Sequence, residues 1–149
     1  MNKLINRSFS SLKDKTIRIE ESKNISFSAD VKRFPSYLRV RTHPSLSEYP
    51  DKLLVGVFSH ELSHLETFIK LSFFRYYILR GFLICFDKYF KKEEKETDIT
   101  AIKKGYAKAL YEQRKLRWNI RDKKIERMKK LYLSPEEIKE IAVNLNKWF

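Results

Sequence analysis

Lys52–Lys70 reads K-L-L-V-G-V-F-S-H-E-L-S-H-L-E-T-F-I-K. Leu54, Phe58, Leu62, Leu65 and Ile69 recur at spacings of three and four, which draws one apolar stripe along an α-helix. His60 and His64 lie off that stripe. Residues i and i+4 share a helix face, so both imidazoles can reach one Zn²⁺. Glu61, one position round the helix, lies beside such an ion, where it can take a proton from water. One face of this helix packs, and the other is left to line a site.

A catalytic zinc site uses three protein ligands and an open position. The one remaining histidine, His43, falls in His43–Asp51 (HPSLSEYPD), a loop by composition. Carboxylates are better placed. Glu93-Glu94-Lys95-Glu96-Thr97-Asp98 lies downstream, where a further helix is expected to begin. Glu94 and Asp98 are four apart and share a face. Glu94 suits a metal ligand, and Asp98 suits an acceptor for the Nδ1–H of a ligating histidine. Glu93 and Glu96 stand as alternatives to Glu94. The same acids also fit a plain helix N-terminus, which the dipole favours.

VGVFSHELSHLE (55–66) followed by EEKETDITAIKKGYAKAL (93–110) resembles the gluzincin metallopeptidases. The resemblance is to the soluble core of CAAX prenyl endopeptidases and heat-shock membrane proteases, and in size to the minigluzincins. It covers about residues 52–110 and is carried by two motifs, H-E-x-x-H and E-x-x-x-D. Thr97 stands where that family often has Ala. No G-x-x-H follows His64, so the chain does not look like a metzincin. The resemblance implies His60, His64 and Glu94 as zinc ligands, Glu61 as general base and acid, and Asp98 as the group that orients a ligand. It also implies a zincin-like fold, with a small sheet before the active-site helix and an edge strand that pairs with an extended substrate. Tyr37–Thr42, with Leu38 and Val40, is the candidate for that strand. Tyr106 and His43 are the candidates for polarising the scissile carbonyl. Minigluzincins held latent by a C-terminal segment suggest a regulatory role for residues 134–149.

Working outward, residues 1–15 are polar and are expected to be loosely ordered. Alternation of Ile17/Ile19, Ile25/Phe27 and Leu38/Val40 with polar residues predicts two or three short strands. Leu71–Phe90 is apolar nearly all round, which predicts a buried helix carrying Cys85 as a core thiol. Ile99, Ile102, Tyr106, Leu110, Leu116 and Ile120 predict a third helix reaching to residue 120–130. Ser134-Pro135-Glu136-Glu137 is a helix start with cap, Pro and capping-box acid in register. The whole is one α+β domain over residues 1–149: a small N-terminal sheet, then about four helices.

The chain has 149 residues, 32 Lys plus Arg, 19 Asp plus Glu and a net charge of +13. One cysteine excludes an internal disulfide framework and a zinc site of several thiolates. Arg75 and Arg80 interrupt the most apolar stretch, so no membrane span is expected. The N-terminus has no long apolar run of the secretory kind, and a cytoplasmic location is expected. Lys103–Lys130 holds twelve cations against three acids, most of the net charge, with Tyr106, Tyr111 and Trp118 interleaved. That segment suits nucleic-acid phosphates or an acidic protein, but a solvated face of a long helix is the preferred reading. The sequence therefore predicts a zinc metallopeptidase acting on a peptide or protein. The alternatives are a basic nucleic-acid-binding protein with a structural or vestigial zinc site, and a regulatory peptidase that cleaves a repressor.

Overall fold

The computed structural model describes residues 1–25, 28–120 and 123–149, without the side chains of Ile84 and Lys124. The histidine-bearing helix, α2, runs Asp51–Lys70. Its stripe is the spine of the core: Leu62 and Leu65 are fully buried and Phe68 nearly so. Burying each such side chain contributes about 1.5–3 kcal/mol. They pack against Val31, Leu38 and Val40 of a sheet, and against Ile5, Phe9 and Leu12. The last three come from the N-terminal segment expected to be loose. It instead forms a short helix, α1 (Asn2–Ser8), and a 3₁₀ turn (Ser10–Leu12). Apolar residues spaced three and four apart within a polar segment pin it to the core.

The sheet has three strands: β1 (Ile17–Glu21), β2 (Ala29–Arg33) and β3 (Leu38–Thr42). Their order is β1-β3-β2, with β3 parallel to β1 and antiparallel to β2. This corrects two expectations. The middle strand begins at Ala29; Ile25 is buried outside any strand, and Phe27 lies outside the described residues. β3 is the central strand, so Leu38 and Val40 are core residues and cannot pair with a substrate. β2 is the edge strand on the helical side.

Leu71–Phe90 is not one buried helix. It divides at Phe86, whose extended backbone separates α3 (Phe73–Cys85) from α4 (Asp87–Ala101). Of the described side chains of α3, only Tyr76 and Leu83 are buried, and Cys85 is exposed. The acidic motif accordingly sits in the middle of α4, not at a helix start. The expected third helix is also broken. A π-helical turn (Ile102–Tyr106), in which Gly105 adopts φ +89°, leads into α5 (Ala107–Trp118), with α6 at Lys123–Leu131. Lys103–Lys130 is therefore not one solvated face; Arg114 and Arg117 are buried in it. α7 (Pro135–Asn144) begins with the predicted capping box of Ser134 and Glu137. Its Ile138 and Ala142 complete a second core with Leu110 of α5 and Ala101 and Ile102. This C-terminal helix is a wall of the fold, away from the cleft described below.

α2 and α5 cross closely at Gly56. A Cβ there would stand 2.5 Å from the carbonyl oxygen of Ala109, so hydrogen at this position is what lets the backbones approach. The crossing brings Arg114 of α5 under the histidine face of α2.

Candidate metal centre

His60 and His64 project from one face of α2, and Glu94 meets them from α4. The Nε2 atoms of the two histidines are 3.1 Å apart, and Glu94 Oε2 is 3.1 Å from one and 3.3 Å from the other. Three ligand-type atoms thus converge on one point. A tetrahedral zinc about 2.0–2.1 Å from its ligands would set them about 3.3 Å apart. The donor set and its spacing fit that ion.

The opposite nitrogen of each ring has its own carboxylate. His60 Nδ1 lies 2.7 Å from Asp98 Oδ1, and His64 Nδ1 lies 2.5 Å from Glu93 Oε1. A carboxylate accepts, so each Nδ1 carries a proton, and Nε2 is the nitrogen that a metal would take in exchange for its own proton. Asp98 therefore stands against a histidine Nδ1, where the spacing placed it. Glu93 stands against His64 Nδ1 and is not one of the three converging groups, with Thr97 Oγ1 also 3.2 Å from that nitrogen. Glu96 is on the exposed side of α4, paired with Lys92.

Asp98 is itself held from two further elements. Arg114 Nη2 donates to Oδ1 at 2.8 Å, and the Leu133 N–H donates to Oδ2 at 3.1 Å. Arg114 also lies 4.2 Å over the ring of Tyr132, which meets His60 edge-on. Neither Arg114 nor Tyr132 was expected at the site. Both arrive through tertiary packing, and in the sequence they read only as part of a basic, aromatic segment.

The charges are mutually dependent. Burial opposes a charged His60, but Asp98 and Glu94 outweigh it and raise its pKa to about 9. Burial likewise opposes a charged His64, and Glu93 and Glu94 raise it well above its ordinary value. Burial disfavours the Glu94 carboxylate, yet the two imidazoles hold it far below the usual range. Asp98 is lowered against its burial chiefly by Arg114, then His60. The pocket between these carboxylates favours a positive charge. Glu61 differs: burial dominates and pushes its carboxyl up, the direction that suits a proton acceptor working near neutrality.

His60, Glu61, His64, Glu94 and Tyr132 line a cleft of about 250 Å³, which Ala29, Asp30 and Val31 of β2 also border. Arg41, paired with Asp30, borders the cleft as well. At the far end of β2, Arg33 Nη1 donates to the carbonyls of Phe68 and Leu71, the C-terminal end of α2. A guanidinium there satisfies carbonyls that the helix leaves open. That clamp fixes the strand across the mouth of the site. Phe34 N–H donates to Tyr37 and His43 N–H donates to Ser28, so the even-numbered residues of β2 bond β3. Antiparallel alternation then turns the N–H and C=O groups of Ala29 and Val31 away from β3.

The other two candidates lie elsewhere. Tyr106 stacks on Phe9 in the core and donates to Ser8 Oγ. His43 caps the 3₁₀ turn Pro44–Glu48, with Nδ1 2.8 Å from Ser45 Oγ. Neither borders the cleft. Comparison of the chain with family models, with curated proteins and with solved structures gives no match.

Proposed function

We propose that this protein is a zinc-dependent metallopeptidase of the gluzincin type, with a zincin-like arrangement of edge strand and histidine helix. The observation that carries the reading is the convergence of His60 Nε2, His64 Nε2 and Glu94 Oε2, with each imidazole separately oriented by Asp98 or Glu93. Structural zinc sites are closed, whereas this cluster opens onto a cleft that holds an additional carboxylate, Glu61.

Zinc bound there would acidify a water molecule and polarise a carbonyl. Glu61 takes the proton of the attacking water and returns it to the departing amine. Glu93 and Asp98 keep both imidazoles in the Nδ1–H tautomer throughout. An extended peptide lies along β2, where Ala29 and Val31 offer main-chain groups at the mouth of the cleft. Recognition through the backbone gives affinity with little demand on sequence. β2 thus replaces β3 as the substrate strand, and no residue is assigned to the carbonyl role considered for Tyr106 and His43.

The test is metal content and hydrolysis measured together. Elemental analysis should find one zinc per chain in the wild type and in Glu61→Gln, and little in Glu94→Ala. Cleavage of an unstructured protein such as casein should fall by about 10²–10⁴-fold in Glu61→Gln. Full zinc in Glu94→Ala would remove the proposed site. Undiminished cleavage by Glu61→Gln would remove the proposed chemistry.

A further inference from the structure

α3 carries an apolar face that nothing among the described residues covers. Phe74 is 75 % exposed, and Tyr77, Ile78, Phe82, Phe86 and Tyr89 are between 45 % and 54 % exposed. Phe74, Tyr77, Ile78 and Phe82 are spaced i, i+3, i+4 and i+8, so they form one side of the helix. Tyr76 and Leu83, seven apart, form the opposite side and dock it on the protein. The patch continues past the bend at Phe86: the rings of Phe82, Phe86 and Tyr89 lie about 6 Å from one another.

At 100° per residue, Arg75 and Arg80 fall at the two borders between the exposed and the docked sides. α3 has no acidic residue. At the start of α4, exposed Asp87 is followed by exposed Lys88 and Lys91. An apolar face of this kind, with aromatic side chains and cations at its margins, fits the boundary between lipid headgroups and acyl chains. A second copy of the chain fits less well. Face-to-face pairing would crowd the arginines of both copies with no acid on α3 to pair them. The net charge of +13 acts in the same direction as the helix, drawing the protein to an anionic surface.

We propose that α3 and the start of α4 form a peripheral docking surface for a membrane containing anionic lipids. The helix lies in the plane of the interface, with Phe74, Ile78 and Phe82 inserted and the exposed Arg75 at phosphate level. The proposal is independent of the zinc reading. Arg80 and Phe90 also border the cleft, so docking would bring the site to the lipid surface.

The test is co-sedimentation of the full chain with vesicles of phosphatidylcholine alone or of an equimolar mixture with phosphatidylglycerol. The wild type should bind the mixed vesicles at least about 10-fold more tightly than the neutral ones. Phe74→Ser/Ile78→Ser/Phe82→Ser should weaken that binding by about 100-fold. Arg75→Ala should weaken it about fivefold. The replaced side chains are exposed, and matching circular dichroism verifies the fold; should the triple variant not fold, Phe74→Ser alone replaces it, with an expected loss of at least about fivefold. Three results would overturn the proposal. One is absence of binding to either vesicle. Another is mixed-vesicle binding untouched by the serine substitutions, which would assign it to charge elsewhere, such as Lys103–Lys130. The third is a wild-type dimer in sedimentation velocity, made monomeric by the same substitutions, which would assign the face to a second copy.

Discussion

Replacing Asp98 by Asn alters one atom of a fully buried side chain, and the geometry leaves that atom no harmless position. Oδ1 accepts from His60 and Arg114, and Oδ2 accepts from the Leu133 N–H. Either orientation of the new amide points an NH₂ group at a donor. The metal-free variant should therefore lose about 1–3 kcal/mol, the cost of an unpaired buried polar group. The zinc-dependent increment is separable from that loss. On the proposed zinc reading, the wild type should gain about 2.7 kcal/mol at zinc one hundredfold above its dissociation constant. For a chain of this size that raises the melting midpoint by about 5–11 °C. Loss of a partner that orients a ligand costs about 10–100-fold in metal affinity. At the same zinc concentration the Asp98→Asn variant would then gain only about 0.4–1.4 kcal/mol. Differential scanning fluorimetry with and without zinc, after stripping with a chelator, reads both quantities. A zinc increment equal to that of the wild type, or one that survives His60→Ala, would refute the reasoning.

Gly56→Ala forces a Cβ to 2.5 Å from Ala109 O and so must separate α2 from α5. The expected cost is about 1–3 kcal/mol, read as a lower urea midpoint, and an unchanged midpoint would contradict the helix crossing. Gly105→Ala places a Cβ on a residue at φ +89°, which should cost about 1–2 kcal/mol in the same assay, with zinc binding retained. Glu137 is partly exposed; burial pushes its pKa up, but Lys95 and the Ser134 N–H together outweigh it and lower the pKa overall. Its contribution to stability is therefore complete above the unfolded carboxylate value of about 4.3 and is lost as pH falls through the lower folded value. Glu137→Gln should destabilise at neutral pH and match the wild type near pH 2, as measured by urea unfolding across pH.

Two pairs, His60 with His64 and Glu94 with Asp98, were legible because helical geometry is local, and metal-ligand chemistry suggested joining them. Four-residue spacing on α2 and on α4 places His60 with His64, and Glu94 with Asp98, whatever the rest of the chain does. Glu93 was legible only as an alternative ligand to Glu94. Its place beside His64 depends on how α4 is rotated against α2, and one sequence carries no measure of that. Arg114, Tyr132 and the Leu133 amide reach the site across the α2–α5 crossing and the turn before α7, contacts with no periodic signature. Alternation identified β3 as a strand but not as the central one, since sheet order is decided by packing and connection. Ala29–Arg33 also alternates, yet the more apolar Ile25 and Phe27 drew the strand too early. α3 misled for a related reason: apolar content predicts the tendency to be covered, and the cover need not come from the same chain.

Asp98 ties three separate parts of the chain to one carboxylate: the histidine helix, Arg114 of α5, and the backbone just before α7. Its bond from the Leu133 amide makes that single proton a gauge of the centre. Whatever steadies His60 also slows the opening that would let this amide exchange with solvent deuterium. A ligand at the two histidines would then be sensed at Leu133, and from there along the C-terminal helix that begins two residues later. Hydrogen exchange would then test loading of the proposed site from a backbone position outside the proposed ligand set.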